Sequence, residues 1–390
     1  MEKIRVAFFA EILIADFDGA SRTMFQLFER IDHDRFEFLF ICGTGPEQVA
    51  GFECLHLPTI QIPLNSKYKI ALPALGTKTI QARLDAFAPD VIHIATPSPM
   101  GHFALDYASR KEIPVVTIYH THFISYIHYY LKYLPFLISP VEKLAQNIQN
   151  RFYDGCQKVY VPSSSMVSEL GKMGMDAGKM KIWKRGIDGA LFSPTKKNPD
   201  YLRQLTGNDL PTVFFASRLV WEKNLETLIE IHHLLQEENV SCNFLIAGDG
   251  VASKECRQRM SDAIFLGEVD HETLSVLYAS ATVFVFTSVS ETFGNVVLEA
   301  MASGLVPVVA DGGGSRDFIT NGENGYKCEP NDAAEYVGRI KKLIESRLLR
   351  HSLSKNAIEH SRAYDWDELA NIYFNDLAEL ASPVEATIQA

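Results

Sequence analysis

Short runs of β-branched and aromatic residues alternate with longer stretches whose apolar positions repeat at helical spacing, from one end of the 390-residue chain to the other. Ile4–Ala10, Phe36–Cys42, Asp90–Ile94, Pro114–Ile118 and Lys158–Val161 read as buried strands. Thr212–Ala216, Phe244–Ala247, Ile264–Val269 and Val283–Phe286 form a second series. Between them, Met24, Phe25, Leu27, Phe28 and Ile31 mark one helix and Ile80–Phe87 another, with residues 11–22 as a loop after the first strand. From Asp332 onward the pattern is helical, and Tyr364-Asp365-Trp366 opens a last helix. Strands alternating with helices predict an α/β protein with parallel sheets, whose ligands bind beyond the carboxyl ends of the strands. The length suffices for two domains of ordinary size.

Chemistry concentrates where the second series ends. After Val283–Phe286 comes Ser290-Glu291-Thr292-Phe293-Gly294-Asn295, opening a helix that continues to Ala302 and stops near Gly304. Gly294 lets backbone approach a ligand closely, and an exposed helix start offers N–H groups and partial positive charge to a diphosphate. Glu291 and Glu299 stand eight residues apart, about 12 Å if the interval is helical. That span fits a carboxylate at each end of a nucleotide sugar, although two solvated glutamates also fit the pattern. Arg218 and Lys223 follow the strand Thr212–Ala216 closely enough to bracket a diphosphate. Gly248 and Leu266 fall at the ends of neighbouring strands.

The stretch from Glu291 to Glu299, continuing through Met301–Ala310, Gly312-Gly313-Gly314 and Asn324-Gly325, resembles the E-x7-E region of retaining glycosyltransferase family 4. Arg218 to Lys223 is similar to that family's R-x-x-x-x-K clamp, and Gly186-Ile187-Asp188 with Phe192-Ser193-Pro194 to its interdomain linker. The resemblance implies a GT-B fold, two Rossmann-like domains whose parallel sheets face a central cleft. The acceptor would bind 1–194, the nucleotide sugar 195–364, and the helix of 365–390 would cross back to the first domain. It implies retaining, metal-independent transfer of a hexose from a donor such as UDP-glucose or GDP-mannose. Glu291 would orient the sugar, Arg218 and Lys223 would take up the charge of the leaving diphosphate, and Thr292, Phe293, Gly294 and Asn295 would meet its phosphates. Glu299 would hold the ribose, while Gly248 and the backbone near Leu266 would line the donor cleft, Leu266 at the nucleobase. In the first domain the resemblance assigns His120 to the donor sugar, with His122 adjacent, and Gly19 to the donor phosphate. Where the family has a glycine pair, this chain has Gly19-Ala20. A sugar-nucleotide 2-epimerase on the same fold and a non-catalytic carbohydrate-binding relative are the alternatives.

Three further features bear on acceptor and cofactor. Asp16 and Asp18 form an Asp-x-Asp before a helix, where acidic residues commonly cap, so no metal or other cofactor is expected. Residues 123–153 are dense in tyrosine and phenylalanine with Lys132, Lys143 and Arg151 among them. They suit either an aromatic core helix pair or a surface that meets a bilayer and admits a lipid. Trp183-Lys184-Arg185-Gly186 resembles lipid-modifying members such as sulfolipid synthases and phosphatidylinositol mannosyltransferases.

The bulk properties exclude several classes. A hydrophobic fraction of 47% and a charged fraction of 22% are those of a soluble globular protein. No apolar run is long enough to span a membrane, and the start lacks a signal-peptide pattern. Six cysteines without a C-x-x-C pair read as reduced core residues in a cytoplasmic protein, peripheral at most on the inner membrane face. The net charge is −11, yet residues 1–195 carry 20 Lys+Arg against 19 Asp+Glu. The acidic excess therefore lies in the second half. Nucleic acid is not an expected partner, whereas a lipid or saccharide acceptor is.

Overall fold

The computed structural model describes residues 2–15, 17, 19–62, 65–119 and 135–382. It contains two compact units, Met1–Lys184 with Trp366–Ala390, and Arg185–Asp365. The chain passes between units at Lys184, ten residues before the boundary at 194 that the linker motif marks.

In the first unit the strands are β1 (Ile4–Ile12), β2 (Phe36–Thr44), β3 (Gln48–Val49), β4 (Phe52–His56), β5 (Thr59–Ile62), β6 (Asn65–Ala71), β7 (Val91–Ile94), β8 (Val115–Ile118), β9 (Lys158–Val161) and β10 (Met180–Ile182). The main sheet runs β10-β9-β8-β7-β1-β2-β4-β3, and β5-β6 is a separate antiparallel pair. Every pairing in the main sheet is parallel except β3 with β4. Parallel strands covered on both faces must be apolar on both faces, and β7 and β8 are buried throughout. One face packs the helix Gly19–Phe28, through Met24, Leu27 and Phe28, and the C-terminal helix Trp366–Ala381, through Trp366, Tyr373 and Leu377. The other packs Ile80, Leu84, Met100, Tyr107 and Phe152.

The C-terminal helix is held by buried polar contacts as well as apolar ones. Trp183 Nε1 donates to the Leu369 carbonyl at 2.9 Å, and Tyr160 OH to Asp376 at 2.9 Å. Lys181 and Lys158 reach the same carboxylate at 2.8 and 3.0 Å. Burial opposes ionisation of Asp376, but these three donors outweigh it and hold its carboxyl below the usual range.

The second unit contains β11 (Thr212–Ala216), β12 (Asn243–Ala247), β13 (Ile264–Gly267), β14 (Val283–Phe286), β15 (Val306–Ala310) and β16 (Tyr326–Cys328). Their order, β13-β12-β11-β14-β15-β16, is the doubly wound 3-2-1-4-5-6 arrangement, parallel throughout. The strand order reverses between β11 and β14, which opens a crevice beyond their carboxyl ends. The same reversal occurs in the first unit between β1 and β7.

Candidate active site at the switch point of the second unit

The loops after β11 and β14 bring Lys223 and Glu291 together. Lys223 closes a short 3-10 turn, Trp221–Lys223, and its Nζ lies 2.6 Å from Glu291 Oε1 and 3.5 Å from Ser290 Oγ. The loop is fixed from below, since Thr287 Oγ1 donates to the Lys223 carbonyl and Ser290 Oγ to the Glu222 carbonyl, each at 3.0 Å. The Lys223 side chain is buried, whereas that of Glu291 keeps 22% of its surface. Burial disfavours the Glu291 anion, yet Lys223, then Arg218 and Arg185, hold its carboxyl below the ordinary range. Lys223 touches the carboxylate, and the two arginines act on it through their charge. Arg218 is exposed on the same rim.

Arg185 was not among the expected site residues. It is only 7% exposed, and its guanidinium lies 5.9 Å from the Phe293 ring. The Trp183–Gly186 motif marked this segment in the sequence, but only the fold carries its arginine to Glu291.

Helix Asn295–Ala302 begins at Gly294, in the left-handed region (φ 91°), with no side-chain cap. Its first-turn amides are therefore left uncapped by any side chain, the arrangement that suits an anion. Asn295 Oδ1, at the first helical position, is buried without a hydrogen-bond partner. Residues 291–294 precede the helix, so the 12 Å helical spacing from Glu291 to Glu299 does not hold; only its last part is helical. Glu299 is buried, and Tyr278 OH lies 3.4 Å from its Oε2. Phe293 packs edge-on against Phe318, with centroids 4.8 Å apart, so its ring serves the core. Thr292 is buried beside it.

Glycines set these loops. A Cβ at Gly314 would lie 2.2 Å from the Thr292 carbonyl oxygen, and the Gly314 N–H donates to the Glu291 carbonyl at 2.7 Å. Residues 312–314 thus support the Glu291 loop from behind. At Gly248, φ is +129° and a Cβ would meet the Ser217 carbonyl oxygen at 1.9 Å. That contact presses the loop after β12 onto the segment carrying Arg218. Leu266 is half-buried on β13, next to this loop.

In the first unit Gly19 is the first residue of the helix Gly19–Phe28, and β1 extends to Ile12 instead of ending at Ala10. The strand thereby includes Glu11, where the sequence pattern predicts a loop. Its carboxylate accepts the Ala71 N–H at 2.7 Å, and burial raises its pKa against the opposing hydrogen bonds of Ser98, Ala71 and Met100. His120, His122, Asp16 and Asp18 lie outside the described residues. Of residues 123–153, the structure describes 135–153, in the helix Pro135–Asp154. Within it Phe152 and Tyr153 belong to the core, while Phe136, Leu144 and Ile148 are 72%, 61% and 48% exposed. Among the described residues no helix is long and apolar enough to cross a membrane.

Two doubly wound sheets, with a lysine-paired carboxylate beside an uncapped helix start, define an enzyme of the GT-B glycosyltransferase class. Residues 200–360 match the family Glycosyl transferases group 1, and residues 17–191 match Glycosyltransferase Family 4. The chain belongs to the family 4 glycosyltransferases. It is 29% identical to the sulfoquinovosyl transferase SQD2 of Arabidopsis thaliana, across 93% of this chain and 71% of the relative. It is 26% identical to a GDP-mannose-dependent alpha-mannosyltransferase of Corynebacterium glutamicum, across 97% and 89%. Among solved structures, Anabaena Alr3699/HepE in complex with UDP and glucose superposes with a TM-score of 0.74 at 21% identity, covering 96% of this chain and 99% of that one. Sucrose-phosphate synthase from Thermosynechococcus elongatus gives 0.77 at 19%, covering 97% and 99%.

Proposed function

We propose that this enzyme transfers a hexose, with retention at the anomeric carbon and without a metal ion, from a UDP-glucose-type donor or GDP-mannose to a membrane lipid. The observation that carries the reading is the convergence of Lys223, Arg218 and Arg185 on Glu291 beside the helix start at Gly294. Departure of a nucleoside diphosphate concentrates negative charge on its phosphates, and preorganised cations and amides stabilise that charge more than they stabilise the bound donor. Arg218, Lys223 and the amides of residues 292–295 fill this role. Glu291 accepts hydrogen bonds from the sugar hydroxyls, Glu299 serves the ribose, and Gly248 and Leu266 line the donor side. The family resemblance assigns His120 and Gly19 to the donor as well.

Support for a lipid acceptor comes from two directions. Relatives named alpha-monoglucosyldiacylglycerol synthase include that of Acholeplasma laidlawii, 28% identical over 80% of this chain. The exposed Phe136, Leu144 and Ile148, with Lys143 and Arg151 on the same helix, suit an interfacial contact that keeps the enzyme peripheral on the inner membrane face.

The test is transfer from UDP-glucose and GDP-mannose to diacylglycerol in mixed anionic vesicles, with the product's anomeric configuration read by NMR. An α-linked glycolipid supports the proposal. Inversion, conversion of the donor to its 2-epimer without an acceptor, or transfer to soluble sugars alone would each overturn part of it. Activity after EDTA treatment should stay within about a few-fold of the untreated enzyme, because the cations that face the leaving group are side chains. Complete loss restored by Mg²⁺ or Mn²⁺ would redirect attention to Asp16 and Asp18.

A further inference from the structure

We propose that Cys42, Cys54 and His56, at the carboxyl edge of the first unit's sheet, form a zinc site. The three ligand atoms all lie within 4.8 Å of one another. The parallel register explains why. Cys42 on β2 pairs with His56 on β4, and Cys54 precedes His56 by two residues, so all three project from one face of the sheet. The C-x-x-C spacing sought in the sequence is a turn signature, and an across-strand site has no such signature.

Distances favour a bridging ion over a disulfide. The two sulfurs are 3.3 Å apart. Tetrahedral zinc with bonds of about 2.3 Å holds two thiolates roughly 3.8 Å apart, so the pair need separate by only about half an ångström. A disulfide requires about 2.05 Å, a closure more than twice as large, across strands already locked by their ladder. The histidine is also presented as a ligand. Its Nε2 lies 3.0 Å from the Pro46 carbonyl oxygen, the outer partner that orients a metal-binding imidazole and leaves Nδ1 for the ion. The Cys54 N–H donates to the Glu47 carbonyl at 3.0 Å, which places Glu47 beside the cluster. The cysteines are buried and His56 is exposed, so the fourth position opens outward, to water or to Glu47. On binding, each thiol releases its proton to solvent and donates a sulfur lone pair. The two thiolates, one neutral imidazole and an oxygen donor match the borderline-soft preference of zinc. The ion would tie β2 to β4 near the open edge of the sheet. It is remote in role from the second unit's phosphate-facing cations, so the proposal stands independently of the donor chemistry.

The test uses full-length, tag-free, reduced protein. Zinc should be retained through gel filtration at about one equivalent, and cobalt(II) added to the metal-free protein should give thiolate-to-cobalt charge-transfer absorption. Cys54→Ala should abolish that absorption. His56→Ala, an exposed change that leaves the core untouched, should weaken cobalt binding by about 100-fold. Zinc should raise the melting temperature of wild type and leave that of His56→Ala unchanged. The proposal is overturned by the lack of a charge-transfer band, by equal affinity in His56→Ala, or by a Cys42–Cys54 disulfide that forms in the presence of stoichiometric zinc.

Discussion

The second unit fixes its candidate site with backbone, whereas the first secures its C-terminal helix with buried side chains. Around Glu291 and Arg218, Gly248, Gly313 and Gly314 lie so close to neighbouring carbonyls that a single methyl group would collide. Along the helix Trp366–Ala381, position depends on Asp376 with its two lysines and a tyrosine, on the indole of Trp183, and on Tyr373 with His93. Backbone contact leaves little freedom and recruits few residue types, so it produces a contiguous motif. Side-chain docking spreads its partners over the whole chain: Tyr160 and Asp376 are 216 residues apart. One unit is therefore specified locally and the other at long range.

Removing the cations is the largest break available. Arg218→Ala and Lys223→Ala should each lower turnover by on the order of 100-fold or more. Their stabilities should differ. Arg218 is exposed, so its loss should hardly move the melting temperature. Lys223 is buried against Glu291, and its loss leaves a half-buried carboxylate without its nearest cation, at a cost of about 2 kcal/mol, between the values for exposed and buried pairs. Calorimetry alongside steady-state kinetics separates the two. Near-normal turnover in both variants would sink the phosphate-clamp assignment.

That contrast explains what was legible in the sequence. Glu291, Gly294 and the triple glycine lie within one stretch, and Arg218 and Lys223 within another, so strand-end position made the charged residues candidates and the family resemblance singled out the set. The α/β alternation with parallel sheets was equally visible. Arg185 was not, because nothing local says that a residue at the end of one segment folds beside a carboxylate more than a hundred residues later. Glu11 was missed because a charged residue near a strand end reads as loop until its partner, the Ala71 N–H, is in place. The helical spacing from Glu291 to Glu299 failed because the turn at Gly294 delays the helix start. Cys42, Cys54 and His56 needed the β2–β4 register, which hydrophobic periodicity does not supply.

The glycine contacts can be broken selectively. Gly248→Ala and Gly314→Ala should each reduce kcat/KM by about tenfold or more and lower stability by roughly 1–3 kcal/mol, since backbone must shift to admit the methyl group. Gly338→Ala is the control, in the middle of the helix Ala333–Glu345 with nothing within 4 Å of its added carbon. It should be neutral or stabilising by up to about 1 kcal/mol. Equal effects at all three positions would remove the distinction between supporting and incidental glycines.

The first unit's buried polar contacts should show in its response to acid. His93 is fully buried, stacked on Phe8 at 4.1 Å and bonded through Nδ1 to Tyr373 OH at 2.9 Å. Burial lowers its pKa from 6.5 to about 3. Between those values the unfolded chain takes up a proton that the native state refuses. The stability contribution is thus complete above pH 6.5 and declines as pH falls toward 3, by about 1.4 kcal/mol per pH unit. His93→Phe keeps the ring and removes the titration. Denaturant midpoints measured from pH 7 to pH 5 should fall less steeply in this variant than in wild type, and parallel slopes would rule out His93 as the source.

The smallest expected effect concerns the surface that distinguishes the first unit most. Phe136, Leu144 and Ile148 leave much apolar area on the helix Pro135–Asp154, while Phe152 and Tyr153 anchor its other end in the core. A helix built this way can yield apolar side chains to a bilayer without unfolding, because its anchoring contacts are separate from its exposed ones. Each exposed aliphatic side chain is partly in contact with its own domain already, so its transfer to an interface gains half of a modest full burial, about 0.7 kcal/mol. Leu144→Ser with Ile148→Ser should therefore weaken sedimentation with anionic vesicles by roughly tenfold, and the wild-type binding should fall with added salt. Both positions are exposed, so the melting temperature should hold. A double variant that binds vesicles as wild type does, or a wild type that ignores them at low salt, would detach this helix from the membrane. The donor site of the second unit would be untouched by that result, since the two regions share no residue.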